Sequence, residues 1–168
     1  GRLLVVDTMN RRIRLVTSEG ETTTIAGGDI SRCGYARGVV TAKDGTVFVV
    51  FSGNPNGVGT LSADGTVTIL AGSDREGFVD GRGDVARFTF PTDIAEGPDG
   101  GIYVADRDND AIRRVNRDGA VTTIAGQPHA FQSIDGDLAV ARFSNPTSVA
   151  VASDGIVYVG ESQCVRQI

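Results

Sequence analysis

A single unit recurs along this chain, and the recurrence limits the fold more than any other feature. Residues 100–126 read GGIYVADRDNDAIRRVNRDGAVTTIAG. Ile102 to Ala105 is a continuous apolar run, rich in β-branched and aromatic residues and too short for a helix. Such a run suits a strand buried on both faces. Two further apolar runs, Ile112 to Val115 and Val121 to Ala125, flank Asp118-Gly119. An Asp-Gly between apolar runs predicts a two-residue hairpin, because Gly tolerates positive φ. Leu3 to Gly27 repeats Ile102 to Gly126 at a constant offset of 99. Asp7 then matches Asp106, Asn10 matches Asn109, and Ile13-Arg14 matches Ile112-Arg113.

An offset of 99 is two repeats of the length usual for a four-stranded unit, so another copy should lie between. Gly45 to Val50 followed by Asp64 to Gly72 is that copy, with Phe51 in place of the Asp and Gly59 in place of the Arg. A fourth copy begins at Ile156-Val157-Tyr158-Val159 and runs to Val165-Arg166-Gln167-Ile168. The connections repeat as well: Asp80 to Tyr103 matches Asp135 to Tyr158 without a gap at offset 55. In each connection a turn is expected at Asp-Gly and one helical turn at Val-Ala-Arg-Phe. The Phe, 88 or 143, should tuck beneath the loop. Pro91 and Pro146 open the next strand, where a missing N–H does least harm.

Each full repeat thus predicts four antiparallel strands, small, apolar, amphipathic and Thr-rich in turn. Such units at this period are the signature of a β-propeller. The expected units span 1–27 (in part), 28–72, 73–126 and 127–168 (in part), with three, four, four and three strands. About three and a half units fill only part of a ring. The remaining blades are expected from a longer chain or from other chains, in contact with the first and last repeats.

The motif of a strand ending in Asp, then Asn, then a hydrophobic-Arg pair resembles that of NHL-repeat proteins. Here it stands as Asp7, Asn10, Ile13-Arg14 and as Asp106, Asn109, Ile112-Arg113. The connecting DG-x4-ARF-x2-P element is similar to that of long-period NHL repeats. The fourth repeat departs from the pattern with Glu161 for Asp and two residues deleted before Val165-Arg166, and the second has lost the motif. The resemblance covers essentially the whole chain. It implies an all-β propeller, usually six-bladed, and leaves function open because propellers are scaffolds.

The chemistry-bearing residues narrow the function. Asp106-Arg107-Asp108-Asn109-Asp110 has the alternating oxygens of a calcium loop but neither its Gly nor its bidentate Glu, so a structural turn is expected. Asp80, Asp84, Asp135 and Asp137 stand beside Gly in loops, where carboxylates accept backbone N–H bonds. Arg82-Gly83-Asp84 spells a tripeptide that integrins read, yet its neighbours recur without it at 135–143. His129 is the single histidine; the zinc sites of the related amidoglycolate lyases use several. No Gly-x-Ser-x-Gly elbow and no phosphate-cradling loop is found. No metal site and no cofactor is therefore expected. Cys33 and Cys164 make no disulfide framework and are expected to be unpaired, buried or half-buried thiols. The longest apolar run, Val47 to Phe51, is too short to span a bilayer, so no membrane insertion is expected.

Some NHL domains bind RNA through basic surfaces, and Arg11, Arg12, Arg14, Arg107, Arg113 and Arg114 recur on the middle strands. The net charge of −5 and intervening acids such as Asp108 and Asp110 oppose that use; salt bridges between blades are the expected job. The leading expectation is a non-catalytic scaffold that presents loops on one face to a protein partner. Those loops are 73–90, 127–145 and the segments after each apolar strand. The candidate contact residues are Arg11, Phe78, Arg82, Arg107, Asp110 and Phe131. The enzymatic alternative is a segment of a six-bladed, metal-dependent lyase or lactonase-like hydrolase. It needs inward carboxylates or histidines on the inner strands, where Asp93 is the candidate and Ser148 its weak equivalent.

Overall fold

A computed structural model describes residues 1–27, 34–129 and 132–168. The architecture is all-β, with helical structure limited to three single 3-10 turns among the described residues. The strands are β1 (Arg2–Asp7), β2 (Arg12–Thr17), β3 (Thr22–Gly27), β4 (Tyr35–Thr41), β5 (Val47–Ser52), β6 (Asn56–Leu61), β7 (Val67–Ser73), β8 (Gly81–Arg82), β9 (Pro91–Glu96), β10 (Ile102–Asp106), β11 (Ala111–Val115), β12 (Ala120–Gly126), β13 (Ser148–Val151), β14 (Val157–Gly160) and β15 (Val165–Gln167). They form four antiparallel sheets: β1-β2-β3, β4-β5-β6-β7, β8-β12-β11-β10-β9 and β13-β14-β15.

Alternation along the apolar strands explains how the sheets stack. Successive side chains of a strand point to opposite faces. On β5, Val49 and Phe51 join Ile13, Ala26 and Ala36 in the core between the first and second sheets. Phe48 and Val50 point the other way and join Ile94, Ile102 and Val104 between the second and third. Ala105 and Ile112 then meet Val149, Val157 and Val159 between the third and fourth. The second and third sheets are thus buried on two faces, which is why β5 and β10 read as unbroken apolar runs.

The Asp-Gly turns are longer than the sequence suggests. Asn116 N–H donates to Ala120 O at 2.8 Å and Gly119 N–H to Asn116 O at 3.0 Å, so three residues form the loop. This is a type I turn closed by a glycine at φ 82°. The Asp118 carboxylate selects it by accepting the N–H of Ala120 two residues on. Asp44, Asp64, Asp99 and Asp154 do the same at 2.9–3.1 Å.

The third sheet carries a fifth strand that the repeat pattern does not suggest. Gly81–Arg82 leaves the long connection and pairs with the outer edge at Ala120 and Val121. The connection itself folds as expected around a buried ring: Phe88 and Phe143 are fully enclosed. Its helical turn falls earlier than Val-Ala-Arg-Phe, at Gly83–Val85.

Candidate functional site

Two kinds of polar cluster lie at the end of the sheets where the long loops emerge. The first is the recurring Asp-Asn-Arg set. In the third sheet Asp106 accepts from Asn109 Nδ2 and Arg113 Nη1, both at 2.8 Å, and from Thr89 N–H at 2.9 Å. Arg113 also donates to Asp80 at 2.7 Å and to the carbonyls of Val79 and Arg87. It thereby pins both arms of the 77–89 loop. Arg166 repeats this with Asp135 and the carbonyls of Ile134 and Arg142. Burial pushes the Asp106 carboxyl up to about 6, against the downward pull of the Arg113 guanidinium and its hydrogen bonds. In the first sheet Asp7 makes the same contacts with Asn10 and Arg14 in a more open setting. There the Arg14 and Asn10 hydrogen bonds hold its carboxyl below the usual range.

The second cluster is a row of cations and rings that crosses three sheets. The Arg11 guanidinium lies 4.5 Å from the centroid of the Tyr35 ring and donates to its hydroxyl at 3.0 Å. Arg37 lies 5.6 Å from the Tyr35 ring and 4.6 Å from the Phe90 ring. Arg107 lies 5.4 Å from Phe90 on the far side of the row in sequence. Cation–π attraction of this kind is worth about 0.5–1 kcal/mol per pair at exposed sites.

Local folding places each member. Arg37 is the extra residue of a β-bulge on β4, between the Ala36–Phe51 and Gly38–Val50 pairs. A bulge re-aims the side chain it carries, and Arg37 Nε reaches the Ser52 hydroxyl at 2.6 Å. Tyr35 and Phe90 precede equivalent bulges in the second and third sheets. Phe90 stands at φ 48°, a left-handed conformation rare for a bulky side chain. Its N–H donates to Asn56 Oδ1 at 3.2 Å, and its neighbour Thr89 is held by Asp106. Arg11 ends the 3-10 turn after β1 with φ 52°.

The sequence candidates therefore separate. Arg11 and Arg107 stand at the two ends of the row. Asp110 is buried and accepts the N–H of Asn145 at 2.8 Å, joining the third sheet to the fourth. It is the counterpart of Asn56, which joins the second to the third. Phe78 is half-buried, 4.8 Å from the Arg113 guanidinium. Arg82 lies at the outer edge of the third sheet in an ion pair with Asp118. Phe131 and Cys33 lie outside the described residues. Cys164 is exposed rather than buried, because β15 begins at once after it. Asp93 is half-buried and accepts the N–H of Val149 at 3.0 Å, tying neighbouring inner strands together. Burial raises its carboxyl, partly offset by the Val149 and Ile94 N–H groups. Its register equivalents, Gly38 and Ser148, bring no second carboxylate to that level. Among the described residues no three His, Cys, Asp or Glu side chains are grouped as metal ligands would be.

Sequence reasoning did not single out Tyr35, Arg37 or Phe90. The signal was an aromatic at the same repeat position twice, 55 residues apart, each followed two residues later by the bulge position.

No family model matches the chain. Among solved structures it is similar to an auxiliary nutrient binding protein from Bacteroides thetaiotaomicron, with a TM-score of 0.71 and 20% identity over 95% of this chain and 42% of that one. It is similar to virginiamycin B lyase from Staphylococcus aureus, with a TM-score of 0.66 and 14% identity over 100% of this chain and 52% of that one. A gluconolactonase from Xanthomonas campestris gives a TM-score of 0.63 and 15% identity over 99% of this chain and 68% of that one. The chain spans about half the length of most of the structures it matches. At these identities the likeness is one of fold: an all-β, propeller-type arrangement of antiparallel sheets.

Proposed function

We propose that the chain forms part of an NHL-type β-propeller that acts as a non-catalytic scaffold and presents its loop face to a protein partner. The four sheets correspond to blades at 1–27, 28–72, 73–126 and 127–168. The ring is completed by further propeller material, in keeping with the half-length match to solved propellers. One observation carries the reading. Arg11, Arg37 and Arg107 are laid against two rings on the face where the long loops emerge, and arginine and aromatic residues are the side chains enriched at interface hot spots. The opposite face offers the Asp-Gly turns.

A photo-crosslinking residue at Tyr35 and, separately, at Asp154 in the full-length protein tests this reading in cells. Discrete protein adducts from position 35 and none from 154 are expected. Adducts from 154 alone, or from neither, would count against it.

A further inference from the structure

We propose that the cation–ring row receives an extended acidic segment of the partner, each guanidinium holding one side-chain carboxylate. This rests on the scaffold reading and names the partner's chemistry.

Three features of the row lead there. First, its cations have little carboxylate company among the described residues. Arg14, Arg82, Arg113, Arg114, Arg117 and Arg166 all face carboxylates directly. Arg11 and Arg37 have no carboxylate partner among the described residues: one meets the Tyr35 hydroxyl and the other Ser52. Arg107 has only Asp108 at 3.7 Å, beyond hydrogen-bonding distance. In a chain of net charge −5, guanidiniums gathered on one face with at most one long ion pair among the described residues form a local attractor for anions.

Second, the rings are already engaged. Tyr35 carries Arg11 and Arg37, and Phe90 carries Arg37 and Arg107. Proteins that read single-stranded nucleic acid offer aromatic faces to the bases, and these faces are in use. A guanidinium laid on a ring still has N–H groups at its edge, arranged as a fork that fits a carboxylate. The stack fixes those forks beforehand, so less rotamer freedom is lost on binding.

Third, the guanidiniums form a row. Arg11 and Arg37 share the Tyr35 ring, and Arg37 and Arg107 share the Phe90 ring, each 4.5–5.6 Å from a centroid. An extended chain also presents its charges in a row, because alternate side chains of a strand fall on one side.

The test uses the full chain and a fluorescein-labelled peptide of about ten residues with alternating Glu and Ser, read by fluorescence anisotropy. Saturable binding that weakens as salt rises is expected. Arg37→Gln and Arg107→Gln should each weaken it about tenfold, with melting temperatures reported alongside. Tyr35→Phe should keep binding, Tyr35→Leu should weaken it, and Arg75→Gln, an exposed arginine outside the row, should leave it unchanged. Absence of binding, or binding indifferent to Arg37→Gln and Arg107→Gln, would overturn the proposal. So would tighter binding of a phosphoserine peptide or of a uridine-rich single-stranded RNA. Cross-links from position 35 with no Glu-peptide binding would remove this proposal and leave the scaffold reading standing.

Discussion

Phe51 and Gly59 hold, in the second sheet, the two places that Asp106 and Arg113 hold in the third. Gly59 pairs with Val49 as Arg113 pairs with Val104. The Phe51 ring lies 3.3 Å from where a Cβ on Gly59 would stand, so it covers the site of the missing arginine. A buried ion pair and a ring on glycine are thus alternative fillings of one cavity, as the desolvation cost of buried charges allows. Phe51→Ala should leave that cavity empty and cost about 3–5 kcal/mol. Urea denaturation of wild type and variant checks this; a loss under 1 kcal/mol would mean that the ring is not a filler.

Arg113 should tolerate replacement poorly. It is fully buried and joins Asp106 to the 77–89 loop. Arg113→Met leaves the Asp106 carboxyl without its cation and should cost about 3–5 kcal/mol. Adding Asp106→Leu should restore part of that, because the stranded acid is gone while the Val79 and Arg87 carbonyls still lack their donor. The double variant being no more stable than the single one would contradict the assignment.

Stability should carry a pH signature from the same residue. The folded Asp106 carboxyl titrates at about 6 against an ordinary 3.8. Between those values the folded chain keeps a proton that the unfolded chain has lost. Its contribution therefore falls as pH rises from about 4 to 6, by about 3 kcal/mol. Asp7, lowered by Arg14 and Asn10, acts oppositely: its contribution is present above the ordinary carboxyl value and is lost as pH falls through its folded value. The unfolding free energy of wild type minus that of Asp106→Asn, measured across this range, should decline with rising pH. A flat or rising difference would show that the Arg113 pair outweighs burial.

The links between sheets should depend on an acceptor rather than a charge. Asp110 accepts the N–H of Asn145, and Asn56 that of Phe90. Asp110→Asn keeps an acceptor and tolerates the φ of 52° at that position, so it should stay within about 0.5 kcal/mol of wild type. Asp110→Ala should lose about 1–3 kcal/mol, the cost of a buried unsatisfied N–H. Equal losses in both variants would mean that the charge matters.

Much of this organisation was legible in the residues. The repeat offsets locate the apolar strands, and Asp106 and Asn109 are recognisable as repeat residues that hydrogen-bond locally. The arginines expected to bridge blades instead pair within their own repeats, Arg14 with Asp7, Arg113 with Asp80 and Asp106, and Arg114 with Asp99, because each shares a sheet or its loop with those acids. The contact between Arg11 and Tyr35 was not, because it joins one sheet to the next and no periodicity records it. Arg37 was hidden for a different reason: a bulge decides where its side chain points, and small-residue strands give no sign of one. Gly81–Arg82 has no apolar run; its pairing with the outer edge is held by long-range contacts, Arg113 and Thr123 on Asp80, Arg82 on Asp118 and Gly83 N–H on Gly119 O. Asp110 is expected as a contact residue because it lies in a loop after an apolar strand, on the face of the long connections. Its left-handed backbone turns the carboxylate toward Asn145 instead.

The central claim, that the loop face binds a protein through the cation–ring row, is tested most directly on a partner obtained by cross-linking from position 35. Its affinity for wild type and for the Arg37→Gln, Arg107→Gln double variant would be measured by titration calorimetry at physiological salt. The account predicts a loss of at least about tenfold with an unchanged melting temperature. Equal affinity for the two proteins would contradict it.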